Sequence, residues 1–182
     1  KINFDDLKKT INNFKKISVH VVGDTIVDSY TNTVTIGGPV KYPHLSLLNI
    51  SQKNYIGGAA IVASHLAATG CKTVFTSVVG DDKNSKFIRD QLKKNKVKIN
   101  LIVDKHRPTT NKNTIIAQSQ KLLKLDTLDN TPVSDEISDQ IKKKISSTKT
   151  NAIIFSDFRH GIFNKETIIE NKKKIPKKMY KV

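Results

Sequence analysis

Short apolar runs alternate with helical segments along much of this sequence, and that order is the feature that most restricts its fold. Residues 72–79 form an apolar run of strand length, residues 83–94 have a helical pattern, and residues 99–103 are apolar again. Parallel strands need a long connection between them, and a helix supplies it. The order therefore predicts an α/β fold with three layers, in which helices cover both faces of a mostly parallel sheet.

The same signals predict the other elements of these layers. Residues 17–22 and 151–155 are further buried strands by their apolar character. The Ala-rich segment 59–69 predicts a helix that ends at Gly70. The remaining predictions are an N-cap at Asp81 or Asp82, a helix capped by Ser134 with isoleucines at i, i+4 spacing, a last helix at 165–174, and the start of a strand at 179–182.

Three half-polar segments do not fit the parallel sheet, because no helix connects them. Residues 30–36 alternate threonine with apolar residues, residues 45–56 are extended after a Gly-Gly-Pro turn, and residues 109–125 have a hairpin pattern. We expect these segments to pair with one another. The sequence thus predicts a second, small sheet built from residues 30–56 and 109–125.

The excess of positive charge does not by itself indicate a nucleic-acid partner. The chain has 32 lysines and arginines against 16 acidic residues, a net charge of +16, but only Arg89, Arg107 and Arg159 are arginines. Specific readers of nucleic acids depend on arginine for base edges and phosphates. We therefore expect no nucleic-acid partner, and a basic surface suits a phosphorylated sugar and ATP equally well.

The cysteine content and the hydropathy of the sequence limit the cellular compartment in which we expect the protein. The single cysteine, Cys71, excludes an intrachain disulfide and a multi-cysteine metal site. No apolar run approaches the roughly 20 residues of a membrane span, and the first sixteen residues lack the apolar centre of a signal peptide. We expect a cytoplasmic protein with no membrane partner.

Candidate binding residues follow the first strand and precede the Ala-rich helix. Asp24 and Asp28 come after the strand at 17–22, where open α/β sheets bind ligands, and their carboxylates could accept hydrogen bonds from hydroxyls. Gly57 and Gly58 let a ligand approach the backbone at the helix N-terminus. Each pattern has a plainer explanation, since aspartates also cap turns and paired glycines also let a helix pack closely on a strand.

Two later segments carry further candidates. Lys112 follows two threonines in an extended segment, and hydroxyls beside an ammonium suit a phosphate or a sugar, although an exposed hairpin strand has the same pattern. Asp157 and Arg159 follow the strand at 151–155. They could hold a phosphate or simply form a turn.

The order and spacing of these motifs resemble the ribokinase/PfkB family of carbohydrate kinases, and within it the heptose-phosphate kinases that supply ADP-heptose synthesis. The likeness runs from about residue 17 to residue 170. The matching motifs are Gly-Asp…Asp at 23–28, Gly-Gly-Ala-Ala at 57–60, Val-Val-Gly-Asp-Asp at 78–82, Arg-Pro-Thr-Thr at 107–110, Gln-x-Leu-Leu-x-Leu-Asp at 120–126 and Ser-Asp at 156–157.

This resemblance implies transfer of a phosphoryl group from ATP, with Mg²⁺, to a sugar or a sugar phosphate. The fold it implies is ribokinase-like, with the small sheet acting as a lid that often pairs between two subunits. A nucleotidyltransferase domain downstream is a further implication. The residues implied around the sugar are Asp24, Asp28, Gly57, Gly58, Lys112 and Asp126, and those implied near the phosphates are Asp157 and Arg159, with no residue implied as a metal ligand.

The sequence also departs from the family pattern. Ile61 and His160 stand where the family usually has asparagine and lysine, and residues 37–44 differ from the heptose-kinase lid. The family's Gly-Ala-Gly-Asp element, whose aspartate deprotonates the attacking hydroxyl, does not occur in the 182 residues. We therefore expect an N-terminal portion of a kinase that is inactive alone and binds ATP weakly at most. A non-catalytic remnant that binds a sugar phosphate or a partner is the alternative.

Overall fold

Five parallel strands form the central sheet of the computed structural model, which describes residues 3–37, 44–175 and 180–181. The strands are β1 (Ser18–Gly23), β4 (Lys72–Val79), β5 (Lys98–Val103), β8 (Ala152–Ser156) and β9 (Tyr180–Lys181). Their order is β5-β4-β1-β8-β9, and every pairing is parallel. This confirms the predicted parallel sheet.

Helices cover both faces of this sheet, as predicted. The helices α2 (Ala59–Ala68) and α3 (Lys83–Lys94) share a buried cluster with Val21. The helix α4 (Asp135–Ser147) shares another cluster with Val22, and α5 (Lys165–Lys174) lies beside α4. Neighbouring residues of a strand face opposite sides of its sheet, so β1 contributes to both cores.

The helix ends confirm the capping residues expected from the sequence. The Asp82 carboxylate accepts from the backbone N–H of Ser85, and the Ser134 hydroxyl accepts from that of Ile137. Gly70 has a φ of +95°, the left-handed conformation that favours glycine just after a helix. These local signals set where the helices begin and end.

The half-polar segments form a separate four-stranded sheet, which we call the lid sheet. Its strands are β2 (Thr25–Gly37), β3 (Ser46–Gly58), β6 (Asn111–Ala117) and β7 (Gln120–Thr127), in the order β3-β2-β6-β7. Only Asp24 separates the end of β1 from the start of β2. Strand β2 therefore begins earlier than the predicted start at 30, and Asp28 lies within the lid sheet. At the β6–β7 hairpin, Gln118 and Ser119 both have positive φ, as type I′ turns require.

One element was not expected from the sequence. The helix α1 (Phe4–Asn13) precedes the first strand, with Asn3 as its N-cap and no buried residue, and it leads into a 3₁₀ turn at Phe14–Lys16. The predicted turn after Gly37 and the family departure at 38–43 lie outside the described residues, as do positions 179 and 182 of the predicted last strand. Over the part of the chain described, no helix has the length and apolarity needed to cross a bilayer.

Candidate functional site at the junction of the two sheets

The structure brings the predicted residues Asp28, Gly57 and Gly58 together at the end of the lid sheet where β2 begins and β3 ends. Strands β2 and β3 pair so that Thr25 lies opposite Gly58 and Asp28 opposite Tyr55. A Cβ on Gly57 would collide with the Asp28 carboxylate, so only glycine leaves room for that side chain. Gly58 has a φ of +58°, and a Cβ there would collide with the Asp24 carbonyl oxygen.

Three of the predicted sugar ligands form a row across the lid sheet. Asp28 pairs with Lys112 on β6, and Lys112 pairs with Asp126 on β7. Residues in register on neighbouring strands project to the same face of a sheet. Asp28 and Lys112 are half-buried and Asp126 is exposed. We call Asp28, Lys112 and Asp126 the lid row; it offers two carboxylates and one ammonium to a ligand.

An open depression adjoins the lid row on the same face. Its volume is about 500 Å³, within the roughly 300–1,000 Å³ of typical small-molecule sites. The rings of Tyr30 and Tyr55 meet edge to face in its wall, with centroids 5.9 Å apart. The lining residues are Asp28, Tyr30, Lys53, Tyr55 and Ile116. Its size and mixed polar and aromatic lining suit a small polar molecule.

Asp24 lies between β1 and β2 and is 1% exposed. Its Oδ2 accepts hydrogen bonds from the backbone N–H groups of Phe158 at 2.7 Å and His160 at 3.3 Å. Its carbonyl oxygen accepts from Ala59 N, so the first N–H of α2 is already used. Burial raises the pKa of the Asp24 carboxyl, and the two backbone hydrogen bonds oppose that shift. Asp24 therefore connects the end of β1, which it directly follows, to the loop after β8 through these hydrogen bonds. Its role as a sugar ligand stays a prediction.

The predicted phosphate-proximal residues lie in that loop, at the carboxyl edge of the central sheet. Asp157 and Arg159 are both exposed, and the Asp157 carboxylate accepts from the backbone N–H of Arg159 at 2.8 Å. Arg159 has a φ of +62°, an uncommon conformation for a residue other than glycine. The loop thus presents a carboxylate and a guanidinium next to the strand edge where Asp24 lies.

Arg107 was not among the predicted site residues, although the Arg-Pro-Thr-Thr motif contains it. Its Nε pairs with the Asp104 carboxylate at 3.0 Å, while Nη1 and Nη2 donate to the carbonyl oxygens of His160 and Thr131. All three contacts are internal. Arg107 therefore links its own segment to the segment around Thr131 and to the loop after β8.

One buried imidazole connects the two halves of the site electrostatically. Burial lowers the pKa of His160, the Asp24 carboxylate opposes that shift, and the Lys112 ammonium adds to it. Asp126 and Asp157 both act to raise the pKa of the same ring. The lid row and the loop after β8 therefore lie close enough to act on one titratable group.

A metal ion held by side chains alone would need several ligands close together. Among the described residues, no group of three or more histidine, cysteine, aspartate or glutamate side chains converges in a way that could hold one. The Mg²⁺ implied by the resemblance therefore has no site made by the described side chains alone.

Comparison with known proteins gives curated relatives that share the name bifunctional protein HldE. The protein from Campylobacter jejuni strain RM1221 is 31% identical over 150 residues, which is 81% of this chain and 31% of the relative. The Helicobacter hepaticus protein is 28% identical over 159 residues, and the Aliivibrio fischeri MJ11 protein is 27% identical over 176 residues. This chain spans about a third of the length of these relatives.

Solved structures match the fold at low identity. Escherichia coli phosphofructokinase-2, solved with fructose-6-phosphate, has a TM-score of 0.68 and 14% identity, covering 90% of this chain and 53% of that one. A carbohydrate kinase from Agrobacterium tumefaciens has a TM-score of 0.53 and 14% identity, covering 76% and 45%. The fold is therefore that of the ribokinase-like kinases. The family model described as pfkB family carbohydrate kinase matches residues 16–150, and the chain therefore belongs to the pfkB family of carbohydrate kinases.

Proposed function

We propose that residues 1–182 are the N-terminal, sugar-binding portion of an ATP-dependent carbohydrate kinase, with the lid sheet inserted in it. The observation that carries the proposal is the contact of the Asp28 carboxylate with Gly57, in register with Lys112 and Asp126. Such carboxylates accept hydrogen bonds from sugar hydroxyls, and the glycine leaves the backbone accessible. In this arrangement Asp24 supports the loop behind the sugar, because its carboxylate is buried and already accepts two N–H groups.

The substrate we propose is a sugar phosphate of the heptose class. The motif pattern resembles heptose-phosphate kinases, and the curated relatives are bifunctional HldE proteins. Lys112 supplies a cation in the lid row, and Arg159 supplies another at the strand edge, so each end of the site can attract an anionic group. In this proposal the ATP phosphates approach from the side of Asp157 and Arg159.

We propose that the transfer itself uses residues that this sequence does not contain. We propose that the intact kinase supplies its base from a Gly-Ala-Gly-Asp segment, that it uses ATP with Mg²⁺, and that a nucleotidyltransferase domain belongs to the same polypeptide. A cytoplasmic location fits substrates of this kind. What the present residues supply is orientation of the sugar, which is a large part of phosphoryl-transfer catalysis.

Calorimetry on the 182-residue chain tests this division of roles. Titration with a heptose phosphate should give weak, saturable heat, and titration with ATP should give none. Tight ATP binding would contradict the proposal, because it would mean that the nucleotide site lies within these residues.

Substitution of Gly57 tests the site itself. Gly57→Ala should displace the Asp28 carboxylate and weaken sugar binding by about 10- to 100-fold, the loss expected for a charged hydrogen bond worth roughly 1.5–3 kcal/mol. Gly37→Ala is the matched control, because its Cβ would lie in ordinary contact, 3.7 Å from the Ser46 Cβ. Equal sugar affinity in the two variants would show that Asp28 does not contribute to sugar binding.

A further inference from the structure

A small cavity lies between the start of β2, the segment that leads into β6 and the loop after β8. Its volume is about 10 Å³, roughly that of one water-sized sphere. The residues that line it are Asp24, Thr25, Val78, Arg107, Pro108, Thr110, Asp129, His160 and Ile162. None of Asp28, Gly57, Lys112 and Asp126 lines the cavity, so its occupant can be inferred independently of the contacts proposed for these residues.

Three of the residues that line the cavity each have a buried polar atom without a hydrogen-bond partner in the protein. These atoms are Asp24 Oδ1, Thr25 Oγ1 and His160 Nε2. The three residues are 1%, 3% and 8% exposed. Buried polar atoms are nearly always paired with protein or ordered water, because leaving them unpaired forfeits the hydrogen bonds they make to solvent in the unfolded chain. Three such atoms around one water-sized space point to a shared ligand.

The hydrogen-bond roles of the three atoms match those of a single water. His160 Nδ1 lies 2.7 Å from Asn130 Oδ1, an acceptor, so Nδ1 carries the ring hydrogen and Nε2 of the neutral ring is an acceptor. The free Asp24 Oδ1 is an acceptor as well, whereas the Thr25 hydroxyl can donate. Water has two hydrogens for the two acceptors and a lone pair for the hydroxyl, which gives the three hydrogen bonds typical of buried water.

Charged ligands fit this wall less well. The Arg107 guanidinium lines the same cavity and disfavours a cation, while the carboxylates of Asp24 and Asp129 disfavour an anion. A hard cation such as Ca²⁺ or Mg²⁺ also needs about six oxygen ligands, and one of the three free atoms here is a nitrogen. A neutral molecule of water size remains.

We propose that this cavity is a specific binding site for one structural water, which donates to Asp24 Oδ1 and His160 Nε2 and accepts from the Thr25 hydroxyl. The water joins three parts of the molecule, namely Asp24 between β1 and β2, the first residue of β2 and the loop after β8. Through Thr25 and His160, this water therefore connects the start of the lid sheet to the loop that carries Asp157 and Arg159.

A crystal structure of the 182-residue chain, at a resolution that shows ordered solvent, tests the site directly. We expect one density peak at hydrogen-bond distance, roughly 2.7–3.2 Å, from the three atoms. The absence of a peak overturns the proposal. A peak at the shorter distances of a bound cation, about 2.3–2.6 Å, also overturns it.

The substitution Thr25→Val gives a second test, in which the sign of the effect decides. If water fills the cavity, valine removes its donor and should lower the thermal midpoint, by about 2–4 °C for each hydrogen bond's worth of stability in a chain of this size. If the cavity is dry, valine removes an unpaired buried hydroxyl, and the midpoint should stay or rise. An unchanged or raised midpoint therefore contradicts the proposal.

Magnetic relaxation dispersion of the water signal counts long-lived internal waters, and a change in side-chain packing alone does not alter that count. The Thr25→Val protein should hold one fewer long-lived water than the natural chain, while Thr25→Ser, which keeps the hydroxyl, should hold the same number. Equal counts in the natural chain and the valine variant would mean that the cavity holds no such water.

Discussion

At the scale of single residues, buried polar side chains decide how the molecule responds to pH. His20 lies in the central sheet with no exposed surface, and its Nε2 is 2.8 Å from the Thr76 hydroxyl. Burial lowers the pKa of His20 to about 4 from its ordinary value of 6.5. The folded chain therefore keeps this ring neutral in a range where the unfolded chain protonates it.

The pH dependence of unfolding should show this histidine. Because the unfolded state binds the extra proton, the free energy of unfolding should fall as the pH drops from about 6.5 to about 4, by up to about 3 kcal/mol at 1.36 kcal/mol for each pKa unit. Urea unfolding across this range measures it. His20→Leu should show a smaller fall than the natural chain, whereas the exposed His65→Gln should not. Equal slopes for His20→Leu and the natural chain would refute the assignment.

At the scale of elements, the turn between β4 and α3 holds the lid sheet to the central sheet. Asp82 Oδ1 caps α3 by accepting from Ser85 N, and its Oδ2 accepts from Thr109 N at 2.8 Å, just before β6. The Thr109 hydroxyl in turn accepts from Gly80 N. One aspartate therefore serves both as a helix cap and as a link to the lid sheet.

Two cap substitutions separate these functions. Asp82→Ala should cost about 2 kcal/mol or more, since it removes the cap and leaves the Thr109 N–H without its partner. Ser134→Ala removes a cap alone and should cost about 1 kcal/mol. Chemical denaturation of the two variants gives the comparison. Equal losses would show that the Thr109 hydrogen bond adds nothing to stability.

At the scale of the whole molecule, the lid sheet exposes apolar side chains that a second subunit could cover. On β7, Leu123 and Leu125 are 52% and 59% exposed, and their spacing of two places them on one face. The sequence resemblance predicts that such lids pair between subunits, and that dimer stays a prediction. Exposed apolar groups of this kind favour association.

Sedimentation velocity at rising protein concentration tests that association. We expect a concentration-dependent dimer, weakened at least tenfold when Leu123 and Leu125 are both replaced by serine. Phe4→Ser is the matched control, since Phe4 is 77% exposed and belongs to α1, not to the lid sheet. A dimer that survives the double substitution but not the control would place the interface on α1 instead.

The sequence by itself determined the layered fold, the helix ends and the family. Alternating strand and helix patterns predicted the parallel sheet. Ser134 and Gly70 lie where their capping patterns placed them, and Asp82 is the N-cap of the two candidates, Asp81 and Asp82. These features depend on residues a few positions apart, which is the range over which periodicity and capping act. Only α1 lacked such a prediction among the described helices.

Tertiary structure alone decided how the candidate site is assembled. The start of β2 directly after β1 carries Asp28 into the lid sheet, and strand register then sets it beside Lys112 and Asp126. The carboxylate of Asp24 instead turns inward to the backbone of the loop after β8. Both outcomes depend on contacts between segments far apart in the chain. Strand pairing and burial of the whole fold fix such contacts, and no local pattern encodes them.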